Sequence, residues 1–197
     1  MKVIESNIIY ENPLPQLRSR QCFFPFLFEL PDKTIGAVYA IGEAFESVDS
    51  VSYIAFSSDG GKTFSKPSPM FDNLDGKTTV YAKATALPDG RVVAIGYAFD
   101  RFDPELPLGN PENGGLLDDF VYWAISEDGG KTFSEGFLLE DDPANAYCYP
   151  AIFEGDDYFL TAYYHSNDSG VCLSSCKLTK VMYAELTGGY EVKNSTP

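Results

Sequence analysis

Two nine-residue strings constrain this chain more than anything else in it. Ser57-Ser58-Asp59-Gly60-Gly61-Lys62-Thr63-Phe64-Ser65 returns as Ser126-Glu127-Asp128-Gly129-Gly130-Lys131-Thr132-Phe133-Ser134, 69 residues later and with one letter changed. An internal repeat of this kind fixes the architecture before any other reading. Each copy follows an alternating apolar run (Val51 to Phe56, Phe120 to Ile125) and precedes another short extended segment. Each is therefore a hairpin loop.

The loop explains its own composition. Asp59 and Asp128 are placed to accept N–H bonds within their own turn, as short acidic side chains do. The Gly60-Gly61 and Gly129-Gly130 pairs admit positive φ. Thr63 and Thr132 restart the extended chain, and Phe64 and Phe133 can fold back as apolar plugs. Structural work accounts for all of these residues without a ligand. The pattern S-x-D-G-G-x-T-aromatic resembles the Asp-box of sialidases and other bacterial-neuraminidase-repeat propellers. That resemblance implies a β-propeller of four-stranded antiparallel blades, with the box between third and fourth strands and away from the family's active face.

The rest of the chain is read on that grammar. Residues Val3 to Tyr10 form a candidate N-terminal strand (2–10) outside the repeats, followed by a Pro-containing linker. The first blade, about 21–72, is expected to carry strands at Phe24–Leu30, Ile35–Ile41 and Val51–Ser57. The second, about 76–142, has Val80–Leu87, Val92–Tyr97 and Phe120–Ser126. Leu30-Pro31-Asp32 recurs as Leu87-Pro88-Asp89 at their first turns. A third, about 145–190, includes Tyr158–Tyr164 and an outer portion from Val171 to Leu186. Pro150 precedes Asp157 by seven residues, as Pro25 precedes Asp32. Ser166 to Gly170 repeats only the front half of the box. The expected fold is all-β, one domain of three four-stranded blades, half of a six-bladed sialidase-like propeller.

Composition narrows the function. The 197 residues include 29 acids and 14 bases, a formal net charge of −15, which excludes nucleic acid as the partner. Cys22, Cys148, Cys172 and Cys176 make no CxxC pair, and with a single His a zinc site is not expected; free buried thiols are. No calcium loop, phosphate-binding Gly loop or other cofactor signature occurs. No segment has the length of a membrane span, and the first residues lack a signal peptide's apolar core, so a cytoplasmic protein without membrane partners is expected.

Turns of an antiparallel blade alternate between its two ends. The loops 42–50, 100–119 and 165–170 therefore gather opposite the boxes, where a rigid scaffold presents long loops for function. That face carries Glu43, Glu46, Asp49, Asp100, Arg101, Asp103, Glu105, Asp118, Asp119, His165 and Asp168. Phe45, Phe102, Tyr147, Tyr149 and Tyr164 are available there to stack on sugar rings. The resemblance implies a carboxyl acid/base in the loop before the first boxed hairpin, on Glu46 or Asp49, with Glu46 fitting the spacing better. It also implies a Tyr nucleophile, for which Tyr163 or Tyr164 is the candidate, a departure from the two-carboxylate scheme. The family's Arg-Ile-Pro signature reads Phe23-Phe24-Pro25 here, so one Arg of its carboxylate-gripping triad is missing. Arg20 is the nearest substitute, and Arg101 lies on the proper face. Substrate contacts are thus expected from Arg20, Arg101, His165 and Asp103. Either the chain is a glycosidase acting on a glycan, or it is a non-catalytic module binding glycan or protein on that face. Three blades are too few to close a ring, so either a homodimer completing one propeller is expected, or the chain is a fragment of a longer six-bladed protein.

Overall fold

A computed structural model of the chain describes residues 3–71, 78–101, 103, 105–109, 117–166 and 175–187. It is all-β, built as three antiparallel meanders. The first sheet has the order β1 (Gln21–Glu29), β2 (Ile35–Gly42), β3 (Val51–Ser57), β4 (Ser68–Pro69). The second runs β5 (Thr78–Ala86), β6 (Val92–Asp100), β7 (Asp119–Ser126), β8 (Phe137–Glu140). In the third, β10 (Tyr158–His165) pairs on one side with β9 (Tyr147–Glu154) and on the other with β11 (Ser175–Met182). All seven expected strands are present.

Two expectations need correction. The third sheet has three strands among the described residues, not four. After β11 the chain turns into a 3-10 segment, Tyr183–Thr187, tied back under the sheet by Tyr183, whose N–H donates to the Asp157 carbonyl and whose hydroxyl donates to that of Gly155. The N-terminal segment is not a strand either: residues 3–10 pair with no sheet. Ile9 and Tyr10 instead pack on Ala37, Tyr39 and Ile41, covering the outer part of the first sheet's back. The half-box at residues 167–170 and the tail from 188 lie outside the described residues.

The boxes fold as their composition dictates. Asp59 Oδ1 accepts from the Lys62 and Thr63 N–H groups (both 3.0 Å) and from Ser57 Oγ (2.8 Å), while Oδ2 accepts the Thr63 hydroxyl (2.6 Å). Asp128 repeats these four bonds with Lys131, Thr132 and Ser126 at 2.7–2.9 Å. All four glycines have φ between 75° and 91°. Phe64 and Phe133 plug the cores beside them.

The sheets pack face on. Phe28, Val38 and Ile54 of the first meet Ala82, Ala84 and Ala94 of the second. The opposite face of the second, with Val93, Ile95 and Tyr97, meets Phe159 and Tyr163 of the third. The lead strands β1, β5 and β9 lie together, and the ends at which they begin carry the long loops.

Candidate functional site

Aromatic-proline pairs interrupt two of the lead strands. In β1 the register passes from Phe23↔Ala40 to Phe26↔Val38, so Phe24-Pro25 bulges. In β9 it passes from Cys148↔Tyr164 to Ala151↔Ala162, so Tyr149-Pro150 bulges at the same level. Proline cannot donate to a ladder, and a bulge re-aims the side chain beside it. Phe24 (φ 52°) and Tyr149 (φ 53°) are held in the left-handed region, which bulky residues avoid. Their rings meet, at 5.9 Å between centroids. Phe24 also lies 5.0 Å from Tyr81 of β5 and 5.7 Å from Phe45. Tyr97 stands 5.2 Å from Tyr81 and 5.8 Å from Tyr149, and Tyr164 reaches Tyr149 at 6.0 Å.

Glu46 sits at this cluster. It too has positive φ (58°), so three of the four non-glycine residues with positive φ among the described residues meet here. Such backbone strain concentrates at functional sites. The Glu46 N–H donates to the Tyr81 hydroxyl (3.2 Å), and Arg101 Nη1 donates to its carbonyl (2.8 Å). The backbone is therefore pinned while no described residue bonds the carboxyl. Burial raises the Glu46 pKa, and the Arg101 guanidinium only partly opposes it. Burial likewise raises the hydroxyls of Tyr81, Tyr97 and Tyr149, with the Glu46 charge adding to the effect. The result is a half-buried carboxyl whose protonated form burial favours, at a cluster in which Phe45 and Tyr149 are exposed.

The other expected residues fall into different arrangements. Asp49 is saturated: Oδ1 accepts from Ser47 Oγ (2.6 Å) and the Glu43 N–H (3.0 Å), and Oδ2 takes Arg20 Nη1 (2.7 Å). Arg20 is committed to that ion pair and to the Tyr53 hydroxyl (3.4 Å). Arg101 is only 5% exposed and spends its guanidinium on the carbonyls of Glu46 and Leu106 and on Thr79 Oγ1. It braces the loops. Asp103 accepts the Glu105 N–H (3.0 Å) in its own turn. His165 Nδ1 shares a hydrogen bond with Ser175 Oγ (3.1 Å), and its ring lies against Tyr147. Tyr164 is 47% exposed at the cluster's rim. Tyr163 is buried between sheets, donating to Glu140 (2.5 Å), which also pairs with Lys177. Burial and that carboxylate push the Tyr163 pKa up, holding it as a neutral phenol. Phe102 and Asp168 lie outside the described residues. Cys148 is buried as expected, but Cys22 and Cys176 are exposed.

Asp119, at the start of β7, was placed on the loop face by sequence but given no role there. Its Oδ2 accepts the Tyr147 N–H (2.9 Å), while Oδ1 is buried with no partner among the described residues. Burial pushes its pKa up to about 7. Phe24 and Tyr149 did leave a signal: aromatic-Pro at matching places in two lead strands.

No family model matches the chain, and no curated protein matches it in sequence. Solved structures do match its fold. A Hadza microbial sialidase superposes with a TM-score of 0.56 at 15% identity, over 76% of this chain and 33% of that one. The α-L-arabinofuranosidase Arb93A from Fusarium graminearum gives 0.50 at 19% identity, over 81% and 44%. An ulvan lyase from a new polysaccharide lyase family gives 0.51 at 13% identity, over 82% and 40%. The chain spans between a third and somewhat under half the length of these structures, and at such identities the likeness is one of fold.

Proposed function

We propose that the chain is a sialidase-like carbohydrate-active protein whose three sheets are blades of a propeller, half of a six-bladed ring. A glycan binds across Phe45, Tyr149 and Tyr164, and Glu46 acts as the general acid/base. The observation that carries this reading is the convergence of Phe24, Glu46 and Tyr149, all in strained backbone, on one aromatic face with an unbonded carboxyl. Flat, partly exposed rings offer apolar area to a sugar face, with a few polar groups to orient it. The raised Glu46 pKa suits a group that must be protonated before it can donate. Fold likeness to a sialidase, an arabinofuranosidase and a polysaccharide lyase supports a glycan ligand without choosing the sugar.

The test is a panel of aryl sialosides, aryl arabinofuranosides and neutral aryl pyranosides. Turnover of one member is expected, and Glu46→Gln should lower it at least ~100-fold. Undiminished turnover in Glu46→Gln refutes the assignment. A second reading, a non-catalytic glycan-binding module, draws on the commitment of Arg20 and Arg101 to other partners, which leaves neither free to grip a sugar carboxylate. Absence of turnover together with binding on a glycan array would select it.

A further inference from the structure

Among the described residues, the third sheet has one finished face and one bare face. Phe159, Thr161 and Tyr163 of β10 are buried against the second sheet. The alternate residues Leu160, Ala162 and Tyr164 look the other way, in register with Phe153 and Ala151 of β9 and with Leu178 of β11. On that face Phe153 is 62% and Leu178 64% exposed. The corresponding faces of the first and second sheets are each covered by the next sheet. An uncovered apolar sheet face of this kind marks an interaction surface.

The complementary surface is at the other end of the chain. The first sheet's back exposes Leu27 on its lead strand, beside the area covered by Ile9 and Tyr10. The segment on that back has a defined direction. Asn7 Nδ2 donates to the Gly61 carbonyl at the box end, and the Tyr10 hydroxyl donates to the Arg20 carbonyl at the loop end. β11 runs the opposite way, from Ser175 beside His165 to Met182 beside Tyr158, and among the described residues its outer edge is unpaired. Charge matches as well. Exposed Lys180 stands on β11, in register with Leu160 of the bare face, and exposed Glu5 on the N-terminal segment.

We propose that a second copy of this chain occupies the bare face. The back of its first sheet packs on the third sheet, and its residues 3–10 run antiparallel along β11. This repeats the step already taken twice within the chain, from first sheet to second and from second to third. Two copies related by a two-fold axis make the contact twice and bring six sheets into one ring, within the four to eight at which propellers close. The proposal rests on the sheets being propeller blades and not on a glycan. The substitutions that test it leave Phe45, Tyr149 and Tyr164 in place, so loss of assembly and loss of sugar binding are read separately.

The test is sedimentation and light scattering of the full chain in dilute buffer. A species of about 43 kDa, twice the 21.7 kDa chain, is expected. The doubly substituted front (Phe153→Glu with Leu178→Glu) and the substituted back (Leu27→Glu) should each give monomers with unchanged far-ultraviolet circular dichroism. Mixing the two variants restores one contact that is intact on both sides, so dimers should reappear, which misfolded chains would not do. A dispersed 21.7 kDa wild-type monomer overturns the proposal. So does a dimer insensitive to both sets of substitutions, or variants that fail to associate on mixing.

Discussion

At Asp119 one carboxylate oxygen holds the Tyr147 N–H, and the other meets no donor among the described residues. Burial raises its pKa to about 7, so folding favours the protonated acid. Stability from this group is therefore full below the ordinary carboxylate value near ~4, and is lost as pH rises to about 7. Asp119→Asn keeps an acceptor for Tyr147 and removes the charge. It should melt at the wild-type temperature near pH 4 and above it at pH 8, by an amount worth a few kcal/mol at most, on the order of the shift itself. Thermal melts at the two pH values check this, and an equal change at both would refute it. Sequence placed Asp119 on the loop face but did not set it apart among 29 acids, because its burial is made by packing between sheets. The resemblance pointed to Glu46 or Asp49, and the structure separates the two by leaving the Glu46 carboxyl unbonded among the described residues. That Asp49 is spent on Arg20, Ser47 and the Glu43 N–H was not legible, since those bonds depend on loop closure.

The boxes are alike as sequence and differ as neighbours. A Cβ at Gly61 would come no closer than 3.9 Å to Ile35, whereas one at Gly130 would stand 3.3 Å from both Ile54 and Phe56 of the first sheet. Both positions have positive φ, so alanine costs backbone strain of ~1–2 kcal/mol at either. Gly130→Ala should lose clearly more than Gly61→Ala in chemical denaturation, because it also presses on the sheet interface. Equal losses would mean that the second box does not brace that interface. The Asp128 carboxyl works on the acid side. Burial opposes its ionisation, but bonds from Thr132, Ser126 and the Lys131 N–H prevail and bring its pKa down to about 2. Its contribution is present above the ordinary carboxylate value and is lost as pH falls towards 2. Strands were legible wherever alternation and turn residues agreed. The Val3–Tyr10 run alternates too, but a strand needs an edge within reach, and among the described residues this segment packs on the face of the first sheet and pairs with no edge.

For the molecule as a whole, a net charge of −15 on 197 residues implies self-repulsion that salt should relieve. The melting temperature is expected to rise between ~0.01 M and ~0.15 M ionic strength. If the bare third sheet takes a second copy, melting should also rise with protein concentration, because association draws on the folded state alone. A concentration-independent transition would match a monomer. The sequence by itself determined the all-β class, the hairpin boxes, the positions of seven strands and which loops share an end of the sheets. Those features follow from local rules: side-chain alternation, turn residues that accept positive φ, and a carboxylate closing its own loop. Only the tertiary structure decided which acid stays unbonded, which arginines are already spent, and that Phe24 and Tyr149 meet from strands more than a hundred residues apart. Those outcomes depend on packing the lead strands together, and no local pattern encodes a distance between segments so far apart in the chain.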